Sequence, residues 1–470
     1  MMRIDSRRLA TLVVLVVAAA SAIAWTAAAS QAASAKRTPL AATGPYVAMG
    51  PLGKNSDLPP GIDPPTCTNP AGVVFRCYTP ALLQQAYSFP NGRGAVTGRG
   101  QTIVLIDAFG SPFIEDDLAA FDDDFGLPAP PSFTIVGPNG EGDLSDPTVF
   151  AWALETSLDV EYAHALAPGA NIVLVVAASD DNSVMNDAEA AAVQQFPGAI
   201  FSHSFGSDET EDVPSNVALH RTIVRGQRSG STFVAGTGDF GATDGGPKPV
   251  AAYPASDPLV TSVGGTEGLP YPDGLLRGRR GFAYGGEQVW NEGDTFGMAT
   301  GGAPSVLFPA PFWQRDFSHW PKRTTPDVAF DAAVDGGVVI TFGGGAGVIG
   351  GTSVGAPNWS AIVALVNEAR ARAHQRPIGF ANDDLYAAAR DGRGYRQDFH
   401  DIVVGSNALD GPGFPARPGY DFATGLGTPV VSALIDDLSG RPGGPGDDPG
   451  DPGRGQNWPG GGRHHRFPGR

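Results

Sequence analysis

The run Gly350-Gly351-Thr352-Ser353-Val354-Gly355-Ala356-Pro357 sets one hydroxyl where it could act as a nucleophile. Valines, isoleucines and glycines lead into it from Gly336, and an apolar-periodic segment, Trp359 to Arg372, follows. That pattern predicts strand, glycine turn and helix. Ser353 then sits at the junction, in the positive field of a helix N-terminus. Glycines there let a second backbone approach closely. A plain helix cap would use the same residue. Glu155 and Asp159 are four apart, hence stacked on one helix face. They read either as a solvated acidic face or as a coupled pair sharing protons, with one member basic enough to deprotonate a hydroxyl. Asp239, in Gly236-Thr237-Gly238-Asp239-Phe240-Gly241, follows a strand. It is either a turn aspartate bonded to its own backbone or an acid that donates a hydrogen bond to a developing oxyanion.

A serine nucleophile needs a base, and eight histidines are available. His164 shares the helix of the two carboxylates and His203 lies in a buried strand. His220, His319, His374 and His400 sit in no recognisable motif, and His464 and His465 are near the C-terminus. None has a His-Gly-Thr setting. The expected base is therefore a carboxylate, which works best in acid, where the leaving amine is also readily protonated.

Positioning these groups falls to strands that alternate with helices. Strands are expected at 102–108, 132–136, 170–177, 199–204, 232–235 and 260–263. Helices are expected at 81–87, 113–125, 150–166, 184–195 and 214–228. This alternation implies an α/β fold in one large domain: a mostly parallel sheet with helices on both faces. Ligands in such folds bind at the carboxyl ends of the strands. Asp107, Ser204-Phe205-Gly206, Gly236 to Asp239 and Gly350 to Ser353 all fall there.

The ordered set then resembles the sedolisin (serine-carboxyl peptidase) family. Glu155 and Asp159 match Glu-x-x-x-Asp. Gly238-Asp239-x-Gly241 and Gly351-Thr352-Ser353-x-x-x-Pro357 match two further motifs. Tyr253-Pro254-Ala255-Ser256, Val263-Gly264-Gly265-Thr266, Phe312-Trp313-Gln314 and Pro326-Asp327-Val328-Ala329 support them, in family order from Tyr78 to Leu434. The resemblance implies a subtilisin-like fold that cleaves peptide bonds at acidic pH. It implies Ser353 as nucleophile, Glu155 as its base, Asp159 as the group that orients Glu155, and Asp239 as the oxyanion donor. It also implies one structural calcium ion. Asp401 and Asp421 would give carboxylates, and Ile402, Arg417 and Gly419 carbonyls, which suits a hard cation. Arg417 stands where the family tends to have glycine. The family's long folded propeptide has no counterpart before Tyr78 beyond a short arm.

The 470 residues carry 41% apolar side chains, 65 glycines and 42 prolines, enough for a large core with many shaped loops. Residues 1–35 read as a secretory signal: Arg3, Arg7 and Arg8, an apolar run from Leu9 to Trp25, then small residues. Residues 36–77 read as an arm tied by a disulfide between Cys67 and Cys77, residues 78–438 as the peptidase domain, and 439–470 as a disordered Gly/Pro-rich tail. The net charge of −18 disfavours nucleic acid and anionic membranes. The expectation is a secreted, extracellular monomer acting on polypeptides, with no membrane association after signal cleavage. A tripeptidyl aminopeptidase on the same site and a catalytically silent binding protein are the alternatives.

Overall fold

The computed structural model describes residues 40–41, 47–48, 66–68, 72, 74–268, 284–390 and 392–440. The proposed signal segment, most of the arm and nearly all of the tail lie outside the described residues. Within the arm, β1 (Leu40–Ala41), β2 (Val47–Ala48) and β3 (Thr66–Thr68) precede β4 (Val74–Tyr78). Cys67 on β3 and Cys77 on β4 form the expected disulfide, closing an antiparallel pair. The last helix, Val431–Gly440, runs two residues past the expected domain end.

Eight strands make the central sheet, and they come from the long apolar runs. In chain order, the strands that follow β4, in this sheet and in the smaller ones, are β5 (Thr102–Ala108), β6 (Phe133–Val136), β7 (Asn171–Ala177), β8 (Ile200–His203), β9 (Phe205–Asp208), β10 (Thr232–Gly236), β11 (Ala252–Tyr253), β12 (Thr261–Gly268), β13 (Glu287–Val289), β14 (Pro304–Pro309), β15 (Lys322–Thr324), β16 (Val328–Asp331), β17 (Gly337–Phe342) and β18 (Gly345–Ile349). The sheet order is β13-β12-β10-β8-β5-β7-β6, with β16 also on β12. Every pair is parallel except β12–β13. β5 and β7 are buried on both faces, which is why they read as continuous hydrophobic runs.

From β5 the chain crosses to the edge strand β6 and returns through β7 on one side, then continues outward through β8, β10 and β12 on the other. The order reverses between β5 and β8, and a crevice opens at such a switch point. Asp107 is the penultimate residue of β5 and Ser204 follows β8, so both sit at that crevice.

Two helices lie beneath it. Pro147–Leu166 starts where Asp146 accepts from the Thr148 N–H at 2.8 Å, with Pro147 at the first helical position. Sixteen of its twenty residues are buried, Glu155 and Asp159 among them. The solvated acidic face allowed by the four-residue spacing is therefore not what forms. Gly355–Arg372 packs against this helix and carries Ile362, Val363, Leu365 and Val366 into the same core. The Gly336–Gly350 stretch is a hairpin rather than a single strand: β17 and β18 pair antiparallel about Gly343-Gly344.

Candidate active site

Ser353 lies in a single 3-10 turn, Thr352–Val354, that feeds directly into the Gly355–Arg372 helix. Gly351 precedes it at φ +117°, a backbone setting that a side chain would strain. Its N–H donates to the Ala332 carbonyl at 2.7 Å, which fixes the turn to the end of β16. A Cβ at Gly350 would strike the Ala333 backbone. The glycine pair is therefore a packing requirement, and it delivers Ser353 to a fixed place under the crevice.

Asp239 is fully buried, and its Oδ1 accepts from the Thr352 N–H at 2.8 Å and the Thr352 hydroxyl at 2.9 Å. Thr352 Oγ1 in turn accepts from the Gly238 N–H at 3.0 Å. The aspartate turn and the serine turn are thus laced together, and the plain turn-aspartate reading gives way. Asp239 Oδ2 has no partner. Burial pushes the acid up to about 7, against the pull of the two Thr352 bonds. It is therefore protonated in acid and has a free oxygen with which to donate.

On the other side of Ser353, the Ser204 hydroxyl donates to Asp159 Oδ1 at 2.7 Å and reaches the Ser353 carbonyl at 3.5 Å. Glu155 is fully buried. Burial raises its pKa well above normal, Asp107 and Asp239 add to the rise, and the hydroxyls of Ser353 and Ser204 oppose it. Neither Glu155 oxygen has a formed hydrogen bond. The Ser353 hydroxyl is near enough to favour the carboxylate form of Glu155. Asp159 is raised for the same reasons: burial first, then Asp107 and Glu155.

Sequence reasoning passed over Asp107 as a chemical group. It is fully buried with both oxygens unpartnered, and burial lifts it to about 7 against the pull of the Thr156 hydroxyl. Asp107 is the largest charge acting on both Glu155 and Asp159. Holding three ionised carboxylates in so dry a place would cost several kcal/mol per ion, so the set keeps protons. One signal was available: a carboxylate closing an otherwise apolar strand. Ser204, noted only as a strand end, is the second residue missed.

The histidines lie elsewhere. His164 Nε2 meets Asp122 and the Pro128 carbonyl. His203 Nδ1–H donates to the Val234 carbonyl, and Nε2 faces Glu189. His220 pairs with Asp257 at 2.7 Å.

Comparisons with known proteins agree with this geometry. The sequence profile described as the subtilase family matches residues 144–383, the span that holds Glu155, Asp159, Asp239 and Ser353. Kumamolisin from Bacillus sp. (strain MN-32) is 33% identical over 379 residues, covering 77% of this chain and 63% of kumamolisin. The crystal structure of Pseudomonas sedolisin, a serine-carboxyl proteinase complexed with two molecules of pseudo-iodotyrostatin, matches with a TM-score of 0.67 at 27% identity. That match covers 78% of this chain and 99% of that one. The chain belongs to the sedolisin group of the subtilase family. Human tripeptidyl-peptidase 1 is a more distant relative at 27% identity, covering 77% of this chain and 64% of that protein. The chain spans less than two thirds of the length of these curated relatives.

The residues expected to hold calcium share one loop. Both Asp401 oxygens accept from the Gly419 N–H, at 3.0 and 3.1 Å, and Asp401 Oδ1 also accepts from the Tyr395 hydroxyl. Asp421 accepts from the N–H groups of Arg417, Ala423 and Thr424. The two carboxylates therefore grip the same 417–421 loop. Burial raises Asp421 to about 6, against the pull of the Arg417, Thr424 and Ala423 N–H groups. Ile402, next in the chain after Asp401, is buried and packs with Val289 and Ala423. Among the described residues no cluster of three or more Asp, Glu, His or Cys side chains forms a metal site. Any ion here would depend on backbone carbonyls for the rest of its shell. Two carboxylates with carbonyls from Ile402, Arg417 and Gly419 is a donor set that suits calcium.

Proposed function

We propose that this chain is an exported serine-carboxyl peptidase that hydrolyses peptide bonds in acid. The observation that carries the reading is the lacing of Asp239, Ser353 and the buried Glu155–Asp159 pair around a single turn. Ser353 Oγ attacks the scissile carbonyl and Glu155 takes its proton. The three buried carboxylates titrate as a unit. Asp107 and Asp159 keep the protons, while the Ser353 and Ser204 hydroxyls favour charge on Glu155. Asp159, fixed by Ser204, orients Glu155. Protonated Asp239 donates to the oxyanion from Oδ2, and Glu155 returns its proton to the leaving amine. A second cycle with water frees the acyl group.

Export is supported by the N-terminal basic and apolar run and by the disulfide, which persists in an oxidising compartment. No described helix is long and apolar enough to cross a membrane. The Asp401–Asp421 loop would hold one structural calcium ion, anchoring the segment before the last helix. If so, a chelator lowers the melting temperature and added calcium restores it; an unchanged melting curve counts against the site.

The test of function is hydrolysis of denatured casein from about pH 3 to 8, a range that brackets carboxylate and histidine titration, with Ser353→Ala as control. Activity confined to acid and lost in the control is the expected result. Equal activity in the control would remove Ser353 from its role.

A further inference from the structure

Glu287 opens β13 and gathers four hydroxyls on one carboxylate. Oε1 accepts from Tyr87 at 2.6 Å and from Thr266 at 2.6 Å. Oε2 accepts from Tyr284 at 2.8 Å and from Thr428 at 2.6 Å. A carboxylate offers about four lone-pair positions, and hydroxyls meet all of them here. Hydrogen bonds this short to a carboxylate are among the strong ones. The donors come from separate parts of the chain. Tyr87 closes the Pro80–Ala86 helix, Thr266 is on β12, Tyr284 precedes β13, and Thr428 lies just before the last helix.

Two of the four lead onward to one place. The Tyr87 hydroxyl also accepts from the Asp331 N–H at 3.1 Å. The Thr266 carbonyl accepts from the Ala332 N–H at 2.9 Å, and Thr266 stands opposite Asp331 in the β12–β16 register. Asp331 and Ala332 are both buried. The Ala332 carbonyl is the group that accepts from the Gly351 N–H at 2.7 Å, and the Ala333 backbone takes the space that a side chain at Gly350 would need. From Glu287 a chain of bonds therefore runs through Tyr87 or Thr266 to Asp331–Ala332, and from there to the turn that carries Ser353. Tyr284 and Thr428 brace the Oε2 side and lie off this route.

We propose that Tyr87 and Glu287 are positioning residues for the nucleophile. Their bond sets Asp331–Ala332, and the Ala332 carbonyl sets the turn that aims Ser353. Neither side chain needs to meet the substrate. A displacement of about 1 Å at a reacting group can cost about a hundredfold in rate, so a bond several links away is felt in kcat. That the aim serves catalysis rests on the peptidase reading; that the pair holds the turn does not.

The test compares Tyr87→Phe and Glu287→Gln with Thr428→Val. Tyr87→Phe deletes one hydroxyl on the route. Glu287→Gln keeps the shape but puts N–H groups where two hydroxyls now donate. Thr428→Val removes an equally short bond off the route and is the control. Melting curves confirm that each variant is folded, and every assay runs below the onset of unfolding. Should Glu287→Gln fail to fold, Tyr87→Phe, which loses a single oxygen, carries the test. Two quantities are read: residue-resolved hydrogen exchange at Gly351, and kcat and KM on one peptide substrate in acid. In Tyr87→Phe and Glu287→Gln the Gly351 N–H should exchange at least about tenfold faster. In the same two variants kcat should fall at least about tenfold with KM within about twofold of wild type. Thr428→Val should move both quantities far less. Unchanged exchange at Gly351 in both variants would overturn their hold on the turn. A fall in kcat shared equally by Thr428→Val, or a raised KM with kcat intact, would give the pair a general structural part and overturn positioning. If the wild-type chain cleaves no peptide, the peptidase reading fails, while exchange at Gly351 still decides whether the pair holds the turn.

Discussion

At the scale of single residues, the site is governed by the loss of water. Asp107, Glu155, Asp159 and Asp239 are all fully buried, and in each the largest push on the carboxyl is burial. Their differences come from partners. Ser204 donates to Asp159, Thr352 donates to Asp239, and Asp107 has neither oxygen paired. Asp107 therefore sets the proton affinity of the pair without touching the nucleophile's turn. Asp107→Asn removes an acid that competes with Glu155 for the charge on this coupled set, so the acid limb of the rate profile should move to lower pH. A profile that keeps its shape, with only kcat reduced, would assign Asp107 a purely structural part. The Glu-x-x-x-Asp spacing disclosed the pair in the sequence, but it did not disclose the third carboxylate. Asp107 comes to the pair through strand order, and no local pattern encodes strand order.

At the scale of elements, the two central helices and the glycine turn do the positioning. The Pro147–Leu166 helix has no polar face left for solvent, which is why a four-residue acidic spacing ended inside the core. Its end was legible, since Pro168-Gly169 follows it, but the expected start at Phe150 came three residues late: Asp146 caps a helix that opens at Pro147. Its depth was not, because burial depends on the sheet and on the Gly355–Arg372 helix above it. The Gly336–Gly350 hairpin shows the same limit. Its apolar runs were visible, but the turn at Gly343-Gly344 divides them into two strands. Gly351→Ala tests the turn itself. A side chain at φ +117° is expected to cost about 1–3 kcal/mol. Because Ser353 is two residues away, kcat should fall further than the lost stability explains. A drop in melting temperature with kcat intact would show that the turn stores strain without aiming the serine.

At the scale of the whole molecule, the buried carboxylates tie stability to acid. Asp107 and Asp239 stand at about 7 when folded, and Glu155 and Asp159 are also raised. Unfolded carboxyls titrate near about 4. Between those values the native chain holds more protons than the unfolded one, so stability falls as pH rises. The stabilisation is fully present below about pH 4 and is lost progressively through about pH 7. For Asp239 alone the shift of roughly three units corresponds to about 4 kcal/mol. The melting temperature should therefore decline from mild acid to neutral pH, and Asp239→Asn should flatten the decline. A melting temperature that climbs toward neutral pH would contradict the burial of these groups as charged-or-neutral switches. The net charge of −18 acts in the same direction, since acid relieves its self-repulsion. Fold class and sheet organisation were legible at this scale from strand and helix alternation. The anchoring of the arm on β9 and β18 was not, because two-residue strands leave no periodic mark.

The central claim is that a carboxylate, not a histidine, serves as the base for Ser353. The most direct measurement is kcat/KM against pH for the wild-type chain and for Glu155→Gln on one peptide substrate. The account predicts wild-type activity that decays as pH rises past about 7, where Asp239 loses its proton. It also predicts a loss of roughly two to four orders of magnitude in Glu155→Gln, the scale of a missing general base. Wild-type activity that rises from about pH 6 to 8, within the histidine range, with Glu155→Gln unchanged, would contradict it.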